Sequence, residues 1–205
     1  MSYYLIQPKE SYRILKNCPK CKGKSYYKNS NNFRVNANGK QIDVWLIYQC
    51  ETCNNTYNLS VYERVRASAL QQREYEAFLR NDKDLAFYYG TKKSIFVENR
   101  VEIDISDIPY DIVRLEEIGR EEKEEFVIKN PYGIKVRTDR VMAEIMKISR
   151  SAVKELFQKG ILSSTQNYLL ESTVVTVRKK AIDTRKQLPE EEFYAMVEIS
   201  SESRG

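Results

Sequence analysis

The chain has 205 residues, of which 41% are hydrophobic and 31% charged, with 34 Lys+Arg against 29 Asp+Glu and no histidine. That balance excludes a disordered or low-complexity chain, and no apolar run is long enough to span a bilayer. The lack of histidine removes the commonest general base and the commonest nitrogen ligand for metals.

The N-terminus, MSYYLIQPKES, has no basic stretch leading into an apolar one, so a cytoplasmic protein is expected. Residues 1–66 carry 11 Lys+Arg against 4 Asp+Glu, residues 67–130 carry 10 against 15, residues 131–188 carry 12 against 5, and residues 189–205 carry 1 against 5. Two basic blocks around an acidic one suggest two modules that face an anionic partner.

The four cysteines form two pairs, Cys18 with Cys21 and Cys50 with Cys53, in the pattern C-x2-C-x28-C-x2-C. Four thiolates satisfy a tetrahedral Zn2+ without histidine, and no thiol is left over. Such a site has no open position for water, so one structural zinc is expected. Two disulfides are the structural alternative, disfavoured in a reducing compartment. A thioredoxin-type dithiol needs a βαβ context, which does not precede Cys18.

Between the pairs, FRVNANGKQIDVWLIYQC reads as strand, turn and strand, with Asn38-Gly39 at the turn. From Ile42 the alternation puts Ile42, Val44, Leu46 and Tyr48 on one face and Asp43, Trp45, Ile47 and Gln49 on the other. NLSVYERV forms a third strand, which makes an antiparallel zinc ribbon. Tyr26, Tyr27, Phe33, Trp45 and Tyr48 lie among Lys20, Lys22, Lys24, Lys28, Arg34 and Lys40. Rings interleaved with cations suit unpaired RNA bases, and Lys20, Lys22, Lys24 and Lys28 form a second candidate nucleic-acid surface. Trp45 and Tyr48 read rather as core of the small sheet than as stacking platforms.

Residues 72–89 are expected to be helical in two segments, with Asn81 or Asp82 as an N-cap and Gly90 as a stop. Residues 94–114 contain the β-like runs IFVENRVEIDIS and YDIVRL, REEKEEF reads as a solvated helix or loop, and FVIKNPYGIKVR reads as a hairpin turning at 130–133. In VRTDRVMAEIMKISRSAVKELFQKGIL, Thr138 and Ser149 are placed as N-caps of two helices and Gly160 as the stop of the second. Val141, Met142, Ile145 and Ile148 make the apolar stripe of the first helix, and Val153, Leu156 and Phe157 that of the second. Arg150 and Lys154 share a face off that stripe, with Arg137, Arg140 and Lys159 nearby.

The segment resembles the alpha-L RNA-binding domain named for ribosomal small-subunit protein four. Arg137-Thr138-Asp139 matches its opening, and Ser149, Arg150, Val153, Lys154, Leu156, Phe157, Gly160 and Leu162 follow in order. STVVTVRKK resembles its closing strand, while ILSSTQNY stands where that family continues V-x-V-N-G. The resemblance implies RNA contacts at Arg137, Arg140, Ser149, Arg150 and Lys154. The same stretch is also similar to a DNA-binding helix-turn-helix, with Lys147 where its turn usually has glycine. Over most of its length the chain resembles an uncharacterised bacterial family, domain of unknown function 1062, through CPKC, FRVNANGK, DVWLIYQC and the second cysteine knuckle.

The expected fold is α+β: an antiparallel zinc ribbon over 1–66, an acidic α+β connector over 67–130, an alpha-L-like RNA-binding domain over 131–188 with its helix pair packed on a short sheet, and an acidic tail over 189–205. The expected function is binding of structured RNA, ribosomal or transfer, through Arg137, Arg140, Ser149, Arg150, Lys154 and Lys159. The alternative is a DNA-binding regulator that uses residues 138–160, and a further one is a protein–protein adaptor. No catalytic constellation stands out, so a binding protein rather than an enzyme is expected.

Overall fold

A computed structural model describes residues 1–117, 124–164 and 166–178. In chain order the strands are β1 (Ser2–Pro8), β2 (Arg13–Cys18), β3 (Gly23–Asn38), β4 (Gln41–Cys50) and β5 (Thr56–Arg66). Helices α1 (Gln72–Leu79), α2 (Lys83–Thr91) and α3 (Lys93–Glu98) come next, followed by β6 (Glu102–Asp104), β7 (Tyr110–Glu117) and β8 (Glu124–Lys129). The helix pair α4 (Thr138–Met146) and α5 (Arg150–Gln158) leads into β9 (Leu162–Ser163) and β10 (Ser172–Val177). Among the described residues no helix is long and apolar enough to cross a membrane.

Two compact units result, residues 7–111 and residues 1–6 with the described residues from 112 on. The first unit holds a sheet of order β5-β4-β3-β2-β6. β4 alternates as its sequence requires: Ile42, Val44, Leu46, Tyr48 and Cys50 are buried, and the residues between them are not. The β3–β4 turn is two residues long, and Gly39 takes φ 61°, a conformation that favours glycine. The buried face meets the helices through aromatic contacts, with Phe33 edge-on to Phe78 at 4.8 Å and Tyr12 to Phe96 at 5.6 Å. The Tyr48 hydroxyl donates to the Tyr12 carbonyl at 3.1 Å, so its burial leaves no polar orphan. Tyr62 and Tyr89 both donate to the Glu74 carboxylate, which ties α1 and α2 to β5.

Asp82 caps α2, accepting from the Leu85 N–H at 3.0 Å. Gly90 does not stop that helix, which runs to Thr91. A Cβ there would stand 2.3 Å from Ser11 Oγ and 2.7 Å from Asn29 Nδ2, so glycine is required by close packing. Residues 94–98, read as β-like, are helical: the adjacent Ile95 and Phe96 are both buried from α3, which a helix allows at about 100° per residue whereas a one-faced strand would send them to opposite sides.

The second unit's sheet runs β7-β1-β8-β10-β9. β1 and β8 are parallel, pairing Tyr3 with Val127, while β8 and β10 are antiparallel, pairing Val127 with Val174. This overturns the expected architecture. Among the described residues the protein is predominantly β, built on two five-stranded sheets, and is not a helix pair on a short C-terminal sheet. Strands that pair across most of the chain have no local signature, and a parallel pair needs a long crossover, here the whole of the first unit. The hairpin expected from FVIKNPYGIKVR is likewise not formed. β8 pairs with β1 and β10, and the Asn130 side chain closes the turn by bonding both the N–H and the carbonyl of Ile134 at 3.0 Å. The acidic tail expected over 189–205 and most of REEKEEF lie outside the described residues.

Candidate metal centre and nucleic-acid interface

Cys18 ends β2 and Cys50 ends β4, and each is followed by a tight turn that returns Cys21 or Cys53 beside it. Lys22 and Asn54 take φ 56° and 58° in these turns. The second turn is closed by reciprocal backbone bonds, Cys50 N–H to the Asn55 carbonyl and Asn54 N–H to the Cys50 carbonyl, both 2.9 Å. The β3–β4 ladder sets Tyr27 opposite Cys50, which brings the two turns together.

All four sulfurs lie within 4.8 Å of one another. Cys18 Sγ and Cys53 Sγ are 3.4 Å apart, and Cys21 Sγ and Cys50 Sγ 3.9 Å. A tetrahedral Zn2+ with bonds of about 2.3 Å places its sulfurs roughly 3.8 Å apart, whereas a disulfide needs about 2.05 Å. The four cysteines are unbridged, and their arrangement suits a metal.

The thiols are electrostatically unequal. A hydrogen bond from Tyr27 holds Cys18 down to about 6, while the neighbouring Cys53 pushes Cys21 up to about 12. Burial opposes ionisation of Cys50, but the backbone N–H groups of Cys53 and Thr52 bring it below the ordinary thiol value. Four thiolates converging at these distances need a cation to ionise together.

The helices cover one face of this sheet, and the opposite face carries Arg13, Tyr26, Lys28, Arg34, Trp45 and Ile47. Tyr26 is 40% exposed, Lys28 and Arg34 are exposed, and Trp45 is half-buried. Trp45 sits opposite Arg34, whose guanidinium lies 6.0 Å from its ring centre, and Arg13 lies 4.7 Å from that of Tyr26. At the β6 edge Arg13 pairs with Asp104 at 2.9 Å and Lys24 approaches Glu102 at 3.9 Å. Lys28 and Arg34 have no carboxylate partner among the described residues. Lys20 and Lys22 are exposed on the first cysteine turn, and Lys24 and Lys28 flank Tyr26 on β3. Tyr27, Phe33 and Tyr48 belong to the buried face.

On the helix pair the expected cations are brought together around an anion. Arg137 and Arg150 each contact Asp139 at 3.1 Å through Nε, and the Asp139 side chain is 8% exposed. Burial works against its charge, but the two guanidiniums hold its carboxyl below the ordinary value. Arg140 pairs with Glu144 and Lys159 with Glu155 across one helical turn. Ser149 caps α5 by accepting from the Ala152 N–H at 3.2 Å. α4 is different: its N-cap is Arg137, and the Thr138 hydroxyl donates to the Gln166 carbonyl at 2.8 Å. Gly160 ends α5 with φ 67°. Lys154 has no carboxylate partner among the described residues. Sequence reasoning missed Asp139 as the organiser of Arg137 and Arg150, although its place two residues after Arg137 in VRTDR was a signal.

Residues 35–168 match the model of the family described as proteins of unknown function, DUF1062. The chain belongs to this family. The match takes in the second cysteine turn and both helices of the pair but begins after Cys18 and Cys21, so the family's matched core is not the whole metal centre. No curated protein and no solved structure matches the chain.

Proposed function

We propose that this is a zinc-stabilised RNA-binding protein of the cytoplasm that presents the uncovered face of its first sheet to unpaired bases in the loops of a structured RNA, ribosomal or transfer. One observation carries the reading. Tyr26 and Trp45 stand on an uncovered sheet face flanked by Lys28 and Arg34, two cations with no carboxylate partner among the described residues. Rings supply stacking at about 1–3 kcal/mol per base, and the cations meet the phosphates between them. One Zn2+ held by Cys18, Cys21, Cys50 and Cys53 would lock the strand ends that carry this face. Its four sulfur ligands leave no place for water, so its role is structural. Reduced thiols that hold zinc suit a reducing compartment.

The helix pair takes a smaller part in this reading, because Arg137, Arg140, Arg150 and Lys159 are each committed to a carboxylate. One observation favours the second reading, duplex DNA bound by α4 and α5. Lys147 takes φ 54° between the two helices, the left-handed conformation for which a helix-turn-helix usually uses glycine.

Trp45 is the sole tryptophan of the chain, so its fluorescence reports on the sheet face alone. Titration with an RNA hairpin bearing an unpaired loop is expected to quench it, and Tyr26→Ala is expected to weaken binding. RNA binding that leaves Trp45 emission unchanged moves the site off the sheet. Binding of duplex DNA in preference to RNA selects the second reading, and binding of neither leaves the adaptor reading.

A further inference from the structure

The first turn of α4, the outer face of α5 and residues after β9 border an open cavity of about 510 Å3. That is within the range of small-molecule sites, roughly 300–1,000 Å3. Its walls combine the apolar Phe157 and Leu162, the polar Ser163 and Asn167, and two cations, Lys154 and Arg178.

The charge at this cavity is unbalanced. Neither Lys154 nor Arg178 has a carboxylate partner among the described residues, whereas Arg137, Arg140, Arg150 and Lys159 on the same helix pair all do. One carboxylate, Asp139, lines the cavity, but two guanidiniums already hold it, so its charge is more than offset. The cavity therefore presents a surplus of positive charge beside an aromatic ring. A phosphate ester carries close to two negative charges at neutral pH and accepts several charge-assisted hydrogen bonds at once. An arginine meets it with a fork of donors and a lysine as a compact point charge.

We propose that this cavity binds the phosphate of one nucleotide, with Lys154 and Arg178 on the phosphate and the nucleoside against Phe157. A free nucleoside monophosphate and the 5′-phosphorylated end of an RNA offer the same group. The proposal stands apart from RNA binding by the first sheet, since it uses different residues in the other unit.

The test uses the full-length zinc-loaded chain and calorimetric titration with AMP, with adenosine, and with a short RNA that carries either a 5′-phosphate or a 5′-hydroxyl. AMP or the 5′-phosphorylated RNA is expected to bind, adenosine is not, and Lys154→Ala and Arg178→Ala are each expected to weaken binding about tenfold or more. Lys147→Ala, which removes an exposed cation outside the cavity, is expected to leave it unchanged. Binding of AMP identifies a free nucleotide as the ligand. Binding of the 5′-phosphorylated RNA without AMP identifies an RNA end. Both substituted side chains are exposed, and circular dichroism checks their fold; if either alanine variant fails to fold, Lys154→Gln and Arg178→Lys take its place. Three outcomes overturn the proposal: no phosphate ester binds at millimolar concentration, adenosine binds as well as AMP, or the Lys154 and Arg178 variants bind as the parent does.

Discussion

Tyr27 and Cys50 face each other across the β3–β4 ladder, and Tyr27 also favours the Cys18 thiolate on the neighbouring strand, holding that thiol down to about 6. One buried side chain thus ties the two cysteine turns to a common register. A one-residue slip of that ladder would turn Cys50 to the other face and separate the sulfurs. Metal analysis of protein purified without chelator is expected to give one zinc per chain. Cys50→Ser is expected to lose the metal and the cooperative unfolding of residues 7–111, as seen by thermal denaturation with and without chelator. A folded protein with four free thiols and no metal removes the zinc assignment.

Phosphate contacts on the sheet face should be visible in the salt dependence of RNA binding. Each contact to a single strand contributes about 0.7 to the slope of log K against log salt. Lys28→Ala with Arg34→Ala is therefore expected to flatten that slope by roughly 1.4 and to weaken affinity. An unchanged slope in the double variant places the phosphates elsewhere.

Asp139 links α4 to α5 through Arg137 and Arg150. Asp139→Ala strands two guanidiniums, and a loss of about 2–3 kcal/mol is expected, reduced from the fully buried case because both arginines are near half exposure. Arg150→Ala is expected to lower stability as well, whereas Lys154→Ala, which breaks no ion pair among the described residues, is not. Urea denaturation of the three variants separates these outcomes.

The same carboxylate predicts a pH dependence. Its value in the folded protein lies below the ordinary 3.8, so the folded state holds its proton less tightly than the unfolded chain does. That contribution is present above pH 3.8 and is lost as pH falls through the depressed value. Urea midpoints followed from about pH 6 down to about pH 3 are expected to fall more steeply in the parent than in Asp139→Asn.

Gly90 tests the packing of α2 against the sheet. An added methyl would meet Ser11 and Asn29 well inside contact distance, so Gly90→Ala is expected to cost about 1–3 kcal/mol. Ser11→Gly in the same chain removes the nearest atom and is expected to recover part of the loss. If Gly90→Ala alone is neutral in thermal unfolding, α2 is not held this tightly.

Several features were legible in the sequence because their causes are local. The alternation from Ile42 to Cys50 needs only the two-residue period of a strand, and the cysteine pairs need only a tight turn between two sulfurs. Ser149 and Gly160 bound α5 because a hydroxyl satisfies free N–H groups at one end and glycine accepts a positive φ at the other. What the tertiary structure alone decided depends on residues far apart in the chain. Ser2–Leu5 became the parallel neighbour of Phe126–Lys129, and that pairing turned an expected C-terminal helix-and-sheet module into part of a five-stranded sheet. Residues 93–98 folded as a helix because Ile95 and Phe96 found a core to enter, which their sequence does not name. Arg137 and Arg150 read as free cations until folding placed Asp139 between them, where two half-exposed guanidiniums keep a nearly buried carboxylate ionised. Local stereochemistry determines where an element begins and ends, but which face it buries and which charge it meets are decided by partners that only the folded chain brings within contact.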